Sequence, residues 1–160
     1  MKIYYLLLYL IVVLFLVFLD QYTKTLFVKG YTLKLNEYIK FILVYNEGSA
    51  FGIKLFNNET YLLIGSIVAL FLIYFMIIYN KKLNNLINKL QNRSIVYLFN
   101  FSVLLILSGT IGNLIDRLKY SKVVDWISIW NFPVFNFADS YISIGVAIFI
   151  YSYWKLEKVL

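Results

Sequence analysis

The chain has no cysteine and no histidine, and these two absences exclude more chemistry than any motif in it. They remove Cys nucleophiles, Ser-His-Asp triads, HExxH zinc sites and disulfide frameworks together. Catalysis would have to use carboxylates, Ser or Thr with Lys, or a metal held by carboxylates. Proline occurs once, at Pro133, and charged residues make up only 14% of the chain. Acids are scarcer than bases, 8 against 15, giving a net charge of +7. The bases are scattered beside apolar runs and form no single patch, which points away from nucleic acid and towards anionic lipid headgroups.

What is abundant is apolar surface. Hydrophobic residues reach 62% and aromatics 20%, well above a soluble globular average, so the excess must face lipid. At 160 residues there is room for one domain, spanning 1–160. Four apolar stretches, 3–19, 61–79, 95–114 and 137–154, have spanning length, since roughly 17 to 20 residues at about 1.5 Å rise match a hydrocarbon core of about 30 Å. The first is flanked only by Lys2 and runs into DQYTK with no small-x-small cleavage site, so it reads as a retained helix and not as a signal peptide. The patterning predicts an all-α membrane protein of four transmembrane helices.

Between helices 1 and 2, residues 32–36 alternate with period two and 39–45 are β-branched and aromatic, with Asn36-Glu37 as a turn. A small β-sheet lying on the membrane surface is expected there, between helices 1 and 2. The run NEGSAFG at 46–52 is either a plain glycine turn or a place where another backbone approaches closely.

Alternate helices run in opposite directions, so the end of helix 1, the end of helix 3 and the start of helix 4 share one side. That side, formed by 20–60, 115–136 and the adjoining ends of helices 3 and 4, collects Asp20, Lys24, Asn113, Asp116, Arg117, Asp125, Asn136 and Asp139, which include every aspartate in the chain. The other side carries Lys2, the basic loop 80–94 and Lys155 and Lys158. A short loop with bases and no acids is expected in the cytoplasm by the positive-inside rule, which leaves the aspartates outside.

Structural roles compete with chemical ones at each position. Asp20 and Lys24 have the i,i+4 spacing of an ion pair. Asp116 adjoins Arg117, with Lys119 close by, and Arg117 could equally snorkel to headgroups. Asn136 and Asp139 have the spacing of a capping box. Asp125 has only Lys122 near it in sequence and Asp139 has no cation, so these two make the better dyad. Two carboxyl groups sharing a site hold one proton between them near neutral pH; one can activate a water while the other protonates or hydrogen-bonds a carbonyl oxygen. The rival readings are a proton- or ion-coupled carrier that titrates Asp125 and Asp139, a Ser–Lys protease using Lys24 with Ser140 or Ser49, and a non-catalytic membrane subunit.

DQYTK at 20–24, NEGSAFG at 46–52, GNLIDR at 112–117, VVDW at 123–126 and FNFADS at 135–140 resemble, in order, the motif set of the bacterial lipoprotein signal peptidases (signal peptidase II). The resemblance runs from helix 1 to helix 4. It implies a metal-independent, cofactor-free membrane aspartyl endopeptidase that cuts the signal peptide from a prolipoprotein just before the diacylglyceryl-modified cysteine. By the same resemblance Asp125 and Asp139 are the catalytic pair, and Asn46, Gly48, Asn113, Arg117 and Asn136 bind substrate. Asp20, Lys24 and Asp116 would support them. It further implies both termini in the cytoplasm of a bacterial inner membrane, a small extracytoplasmic β-sheet cradle from 25–59, contact with membrane lipids and sensitivity to globomycin. A monomer that binds no nucleic acid is expected. One departure is the connection from Asp125 to Asp139, shorter than in familiar members, which bears on the loop covering the site and not on the aspartates.

Overall fold

The computed structural model describes residues 3–48, 54–87 and 94–158. Lys2, Ser49 with the rest of 49–53, and the tail of the basic loop at 88–93 lie outside the described residues. The elements are α1 (Ile3–Val28), β1 (Leu33–Lys34), β2 (Ile39–Asn46), α2 (Asn58–Ile87), α3 (Ser94–Tyr120), β3 (Val123–Ile129) and α4 (Phe137–Glu157). Each helix begins within a few residues of an apolar stretch read from sequence, but α1, α2 and α3 run well past its end. The first half of the expected 80–94 loop is helical, as the last turns of α2.

α3 is the central helix, and the reason is in its composition. Val96, Phe99, Val103, Leu104 and Leu107 are buried against Val13 of α1, Ala69 and Leu72 of α2 and Leu156 of α4. Its small residues let α4 come close: a Cβ on Gly109 would run into the Ala138 carbonyl, so any larger residue there would push the start of α4 away. The outer helices are inside out. α1 exposes Leu7, Leu10, Ile11, Leu14, Phe15 and Phe18, and α2 exposes Leu63, Ile67, Leu70 and Phe71. Such continuous apolar surface has lipid as its natural solvent. α1, α2 and α3 are long and apolar enough to cross a membrane. α4 has 21 residues, also sufficient in length, but Asp139 and its interspersed serines and tyrosines dilute its apolarity.

α1 stops at a glycine. Gly30 takes φ 95°, its N–H returns to the Phe27 carbonyl and that of Tyr31 to Leu26, the paired bonds of a Schellman C-cap. The chain then enters the hairpin expected from the 32–45 pattern, closed where the Asn36 side chain accepts the N–H groups of Tyr38 and Ile39, both at 2.8 Å. The sheet is not confined to the α1–α2 connection as the sequence suggested. It has three antiparallel strands in the order β1-β2-β3, and β3 comes from beyond α3. Its register sets Val44 opposite Asp125 and Asn46 opposite Val123, so the long α1–α2 connection is zipped directly onto one of the aspartates. Trp126 stacks on Phe27 at 4.6 Å between ring centroids, which fastens the sheet to the end of α1.

Candidate active site

Asp125 lies mid-strand in β3, 1% exposed. Asp139 occupies the third position of α4, behind the N-cap Asn136, and the capping box is formed in both directions. The structural reading of this pair is therefore correct, and it does not exhaust Asn136. Its Nδ2 donates to Asp125 Oδ1 at 2.7 Å, while its backbone N–H donates to Asp139 Oδ2 at 3.2 Å. One residue thus holds both carboxylates. The remaining oxygens are held by two further amides, Asn46 Nδ2 on Asp125 Oδ2 at 3.0 Å and Asn113 Nδ2 on Asp139 Oδ1 at 2.8 Å.

Beneath them sits a buried ion cluster. Lys24, 2% exposed, lies 2.8 Å from Asp20 Oδ2 and 2.8 Å from Asp116 Oδ2, and donates to Asn113 Oδ1 at 3.1 Å. The cation of Asp116 is thus Lys24 from α1, and neither Arg117 nor Lys119, its neighbours in sequence, supplies it. Each supporting carboxylate also reaches the backbone one residue ahead of a dyad member: Asp116 Oδ2 accepts the Val124 N–H at 3.0 Å, and Asp20 Oδ1 accepts the Ala138 N–H at 2.9 Å. The cluster fixes where Asp125 and Asp139 start. Gln21, which sequence reasoning passed over inside DQYTK, closes it by donating to Asp116 Oδ1 at 2.9 Å and to the Gly112 carbonyl at 3.1 Å.

Arg117 turns inward and does not snorkel. Its Nη2 donates to the Gly48 carbonyl at 2.6 Å and its guanidinium lies over the Tyr61 ring at 4.2 Å, while Nη1 is buried with no hydrogen-bond partner among the described residues. Lys122, the cation near Asp125 in sequence, pairs instead with Glu47 at 2.8 Å.

These groups border a cavity of about 630 Å³. Asn46, Gly48, Asn113, Arg117 and Asp139 form its polar wall, and Asp125 lies behind the Asn46 and Asn136 amides. Its apolar lining includes the 132–135 stretch with Ile142 and Ile144 of α4. Sequence reasoning named none of this apolar wall, although the one proline marked it. The short 125–139 connection folds back on β3, where Phe135 pairs with Ile127, and its 132–135 stretch lines the cavity.

Burial pushes the Asp125 carboxyl up to about 7, repulsion from Asp139 adds to it, and the hydrogen bonds from Asn46 and Asn136 oppose it. Desolvation is the larger cause and the neighbouring carboxylate the smaller one. The Ser–Lys alternative fails on geometry for Ser140: Lys24 is committed to two carboxylates, and the Ser140 hydroxyl donates to the Asn136 carbonyl at 3.0 Å. Ser49, its other serine, is outside the described residues.

Apolar helices with buried acidic and amide side chains gathered at one end, beside a cavity, define a membrane protein with a buried polar site. By comparison with known sequences, residues 12–155 match the family described as Signal peptidase (SPase) II, and the chain belongs to that family. It is 37% identical over 156 residues to the lipoprotein signal peptidase of Halothermothrix orenii, covering 93% of this chain and 97% of that protein. It is 35% identical over 158 residues to that of a Janthinobacterium species, covering 90% and 85%. Its fold is similar to a bacterial membrane enzyme solved by the in meso method at 2.3 Å resolution, with a TM-score of 0.74 and 27% identity over 92% of this chain and 87% of that one. The family is one of proteases, and the chain is a bacterial membrane protein.

Proposed function

We propose that the protein removes the signal peptide from lipid-modified prolipoproteins, cutting before the diacylglyceryl-cysteine, as an aspartyl endopeptidase with Asp125 and Asp139 as its catalytic pair. The observation that carries this is the double hold of Asn136, side chain on Asp125 and backbone on Asp139. It brings together two acids that the sequence leaves on different elements.

At neutral pH the pair holds one proton, and the buried Asp125 takes it. Asp139, held as an acceptor by Asn113 and by the Asn136 N–H, removes a proton from a water as the water oxygen attacks the scissile carbonyl carbon. Asp125 gives its proton to the carbonyl oxygen, forming a tetrahedral diol. Collapse of the diol breaks the C–N bond, the proton on Asp139 passes to the leaving amine, and Asp125 recovers the proton of the re-forming carbonyl. Arg117 Nη1 and the cavity amides are the donors available to an extended substrate backbone, which lipid could not satisfy.

In this arrangement α4 is the fourth span and both termini are cytoplasmic. The dyad lies near the outer face, where acyl chains anchored in the bilayer deliver the cleavage site. The polar groups of α1, α3 and α4 gather at one end of the helices, whereas carriers place their sites near mid-span, so the carrier reading finds no support. The enzyme acts as a monomer in contact with membrane lipid, takes no metal or cofactor in this scheme, and is blocked by globomycin.

The test is cleavage of a diacylglyceryl-modified prolipoprotein by the purified protein. D125N and D139N should each lose about 10⁴-fold in rate while remaining folded, and globomycin but not chelators should stop the wild type. Cleavage at near wild-type rate by either variant would remove the dyad.

A further inference from the structure

Glu47 stands between Asn46 and Gly48, both of which line the cavity, yet it points away to two lysines. Its Oε1 lies 2.8 Å from Lys122 Nζ and its Oε2 2.9 Å from Lys54 Nζ. The last rungs of the β2–β3 ladder are Tyr45↔Val124 and Asn46↔Val123, so Glu47 and Lys122 stand where the next rung would be and close the ladder with an ion pair instead of backbone bonds. Lys54 draws the segment leading into α2 to the same carboxylate. The two ammonium groups hold the Glu47 carboxyl down at about 2, so it carries its charge throughout the range in which an enzyme works.

What the contact steadies is the substrate wall. Asn46 Nδ2 donates to Asp125 Oδ2 at 3.0 Å, the Gly48 N–H donates to Asn46 Oδ1 at 2.9 Å, and the Gly48 carbonyl accepts from Arg117. Each bond depends on the backbone of 46–48 staying against β3, and β2 ends at Asn46. We propose that Glu47 is a positioning residue: by clipping the end of β2 to Lys122 and Lys54 it holds Asn46 and Gly48 in the geometry that receives substrate. This rests on the proteolytic reading of the site but adds a residue that touches neither the substrate nor the dyad.

All three side chains are substantially exposed, so the clip is sensitive to salt in a way that buried contacts are not. Between about 0.02 M and 0.5 M salt, kcat/KM of the wild type should fall about threefold, the size expected of an exposed ion-pair network. E47Q should start at the high-salt wild-type value and stay flat across the series. The charge-reversed triple variant E47K/K54E/K122E should regain both the low-salt value and the salt slope. Wild-type cleavage together with inactive D125N in the same assay isolates the clip from the proteolytic reading. Two results would overturn the clip: E47Q with the wild-type salt slope, whatever its starting value, or a triple variant that fails to recover, which would mean that these charges act on the substrate and not on each other.

Discussion

Asn136 Nδ2 lies 2.7 Å from Asp125 Oδ1 while the same side chain's Oδ1 accepts the Asp139 N–H at 2.8 Å, so one amide is both a helix cap and a ligand of the dyad. The two roles separate by substitution. N136D keeps an acceptor for the cap but replaces the donor facing Asp125 with a third carboxyl, so cleavage should fall at least a hundredfold with a modest loss of stability. N136A should lose a similar amount of activity and, in addition, about 1 kcal/mol for the cap. Rates and thermal unfolding in detergent distinguish the pair; a fully active N136D would show that the Asn136–Asp125 bond is dispensable.

The elevated Asp125 carboxyl makes stability depend on pH with a defined sign. Its pKa is about 7 in the fold against an ordinary 3.8, so between those values the folded chain binds more protons than the unfolded one. Stability must therefore fall as pH rises from about 4 to about 7 and level off above. The whole change is bounded at about 4 kcal/mol. D125N cannot ionise and should lack this component: it should be more stable than the wild type at pH 8, with the gap shrinking as the buffer approaches pH 4. Cleavage should decline on the alkaline side of about pH 7, where the pair loses its shared proton. Parallel stability profiles for the two proteins would contradict the burial argument.

The Lys24 cluster is expected to respond strongly because its members are taken out of water. Removing one partner of a buried ion pair leaves an uncompensated charge, at about 3–5 kcal/mol. K24M strands two carboxylates, Asp20 and Asp116, each bonded to the backbone beside a dyad member. We expect K24M to lose both stability and activity. Further neutralisation in K24M/D20N/D116N should recover stability without recovering activity, since the carboxylates that orient Ala138 and Val124 would then be gone. Unfolding midpoints of the single and triple variants decide this, and a triple variant no more stable than K24M would refute it.

How much of this could be read from the sequence depends on how local each interaction is. The four apolar stretches, the 32–45 hairpin and the Asn136–Asp139 cap are set by neighbours a few residues apart, and each appears in the structure. β3 was not foreseen because VVDWISI at 123–129 has no clean alternation: Trp126 packs on Phe27 while Val123 faces the cavity, so both sides are apolar. The Lys24–Asp116 pair was hidden by better local candidates, Arg117 and Lys119 beside Asp116. Glu47 carries no signal at all in a chain with many exposed lysines, since only the register of β2 on β3 brings Lys122 to it.

Trp126 offers a test of what fastens the sheet to the helices. It is 7% exposed, stacks on Phe27 and meets Phe137 edge-on at 5.0 Å, yet its Nε1 is buried with no hydrogen-bond partner among the described residues. The ring therefore contributes through packing while its N–H counts against it. W126F keeps most of the aromatic contact and removes the unmet donor, so it should fall within about 1 kcal/mol of the wild type, the volume lost being offset by the desolvation relieved. W126A opens a cavity between α1, β3 and α4 and should cost about 3–5 kcal/mol. Because Asp125 is the preceding residue in β3, W126A should also lower kcat more than its folded fraction accounts for, as the strand loses its seat on α1. Thermal unfolding and cleavage rates for the two variants check this, and a W126F as damaged as W126A would show that the indole N–H has a partner in solution.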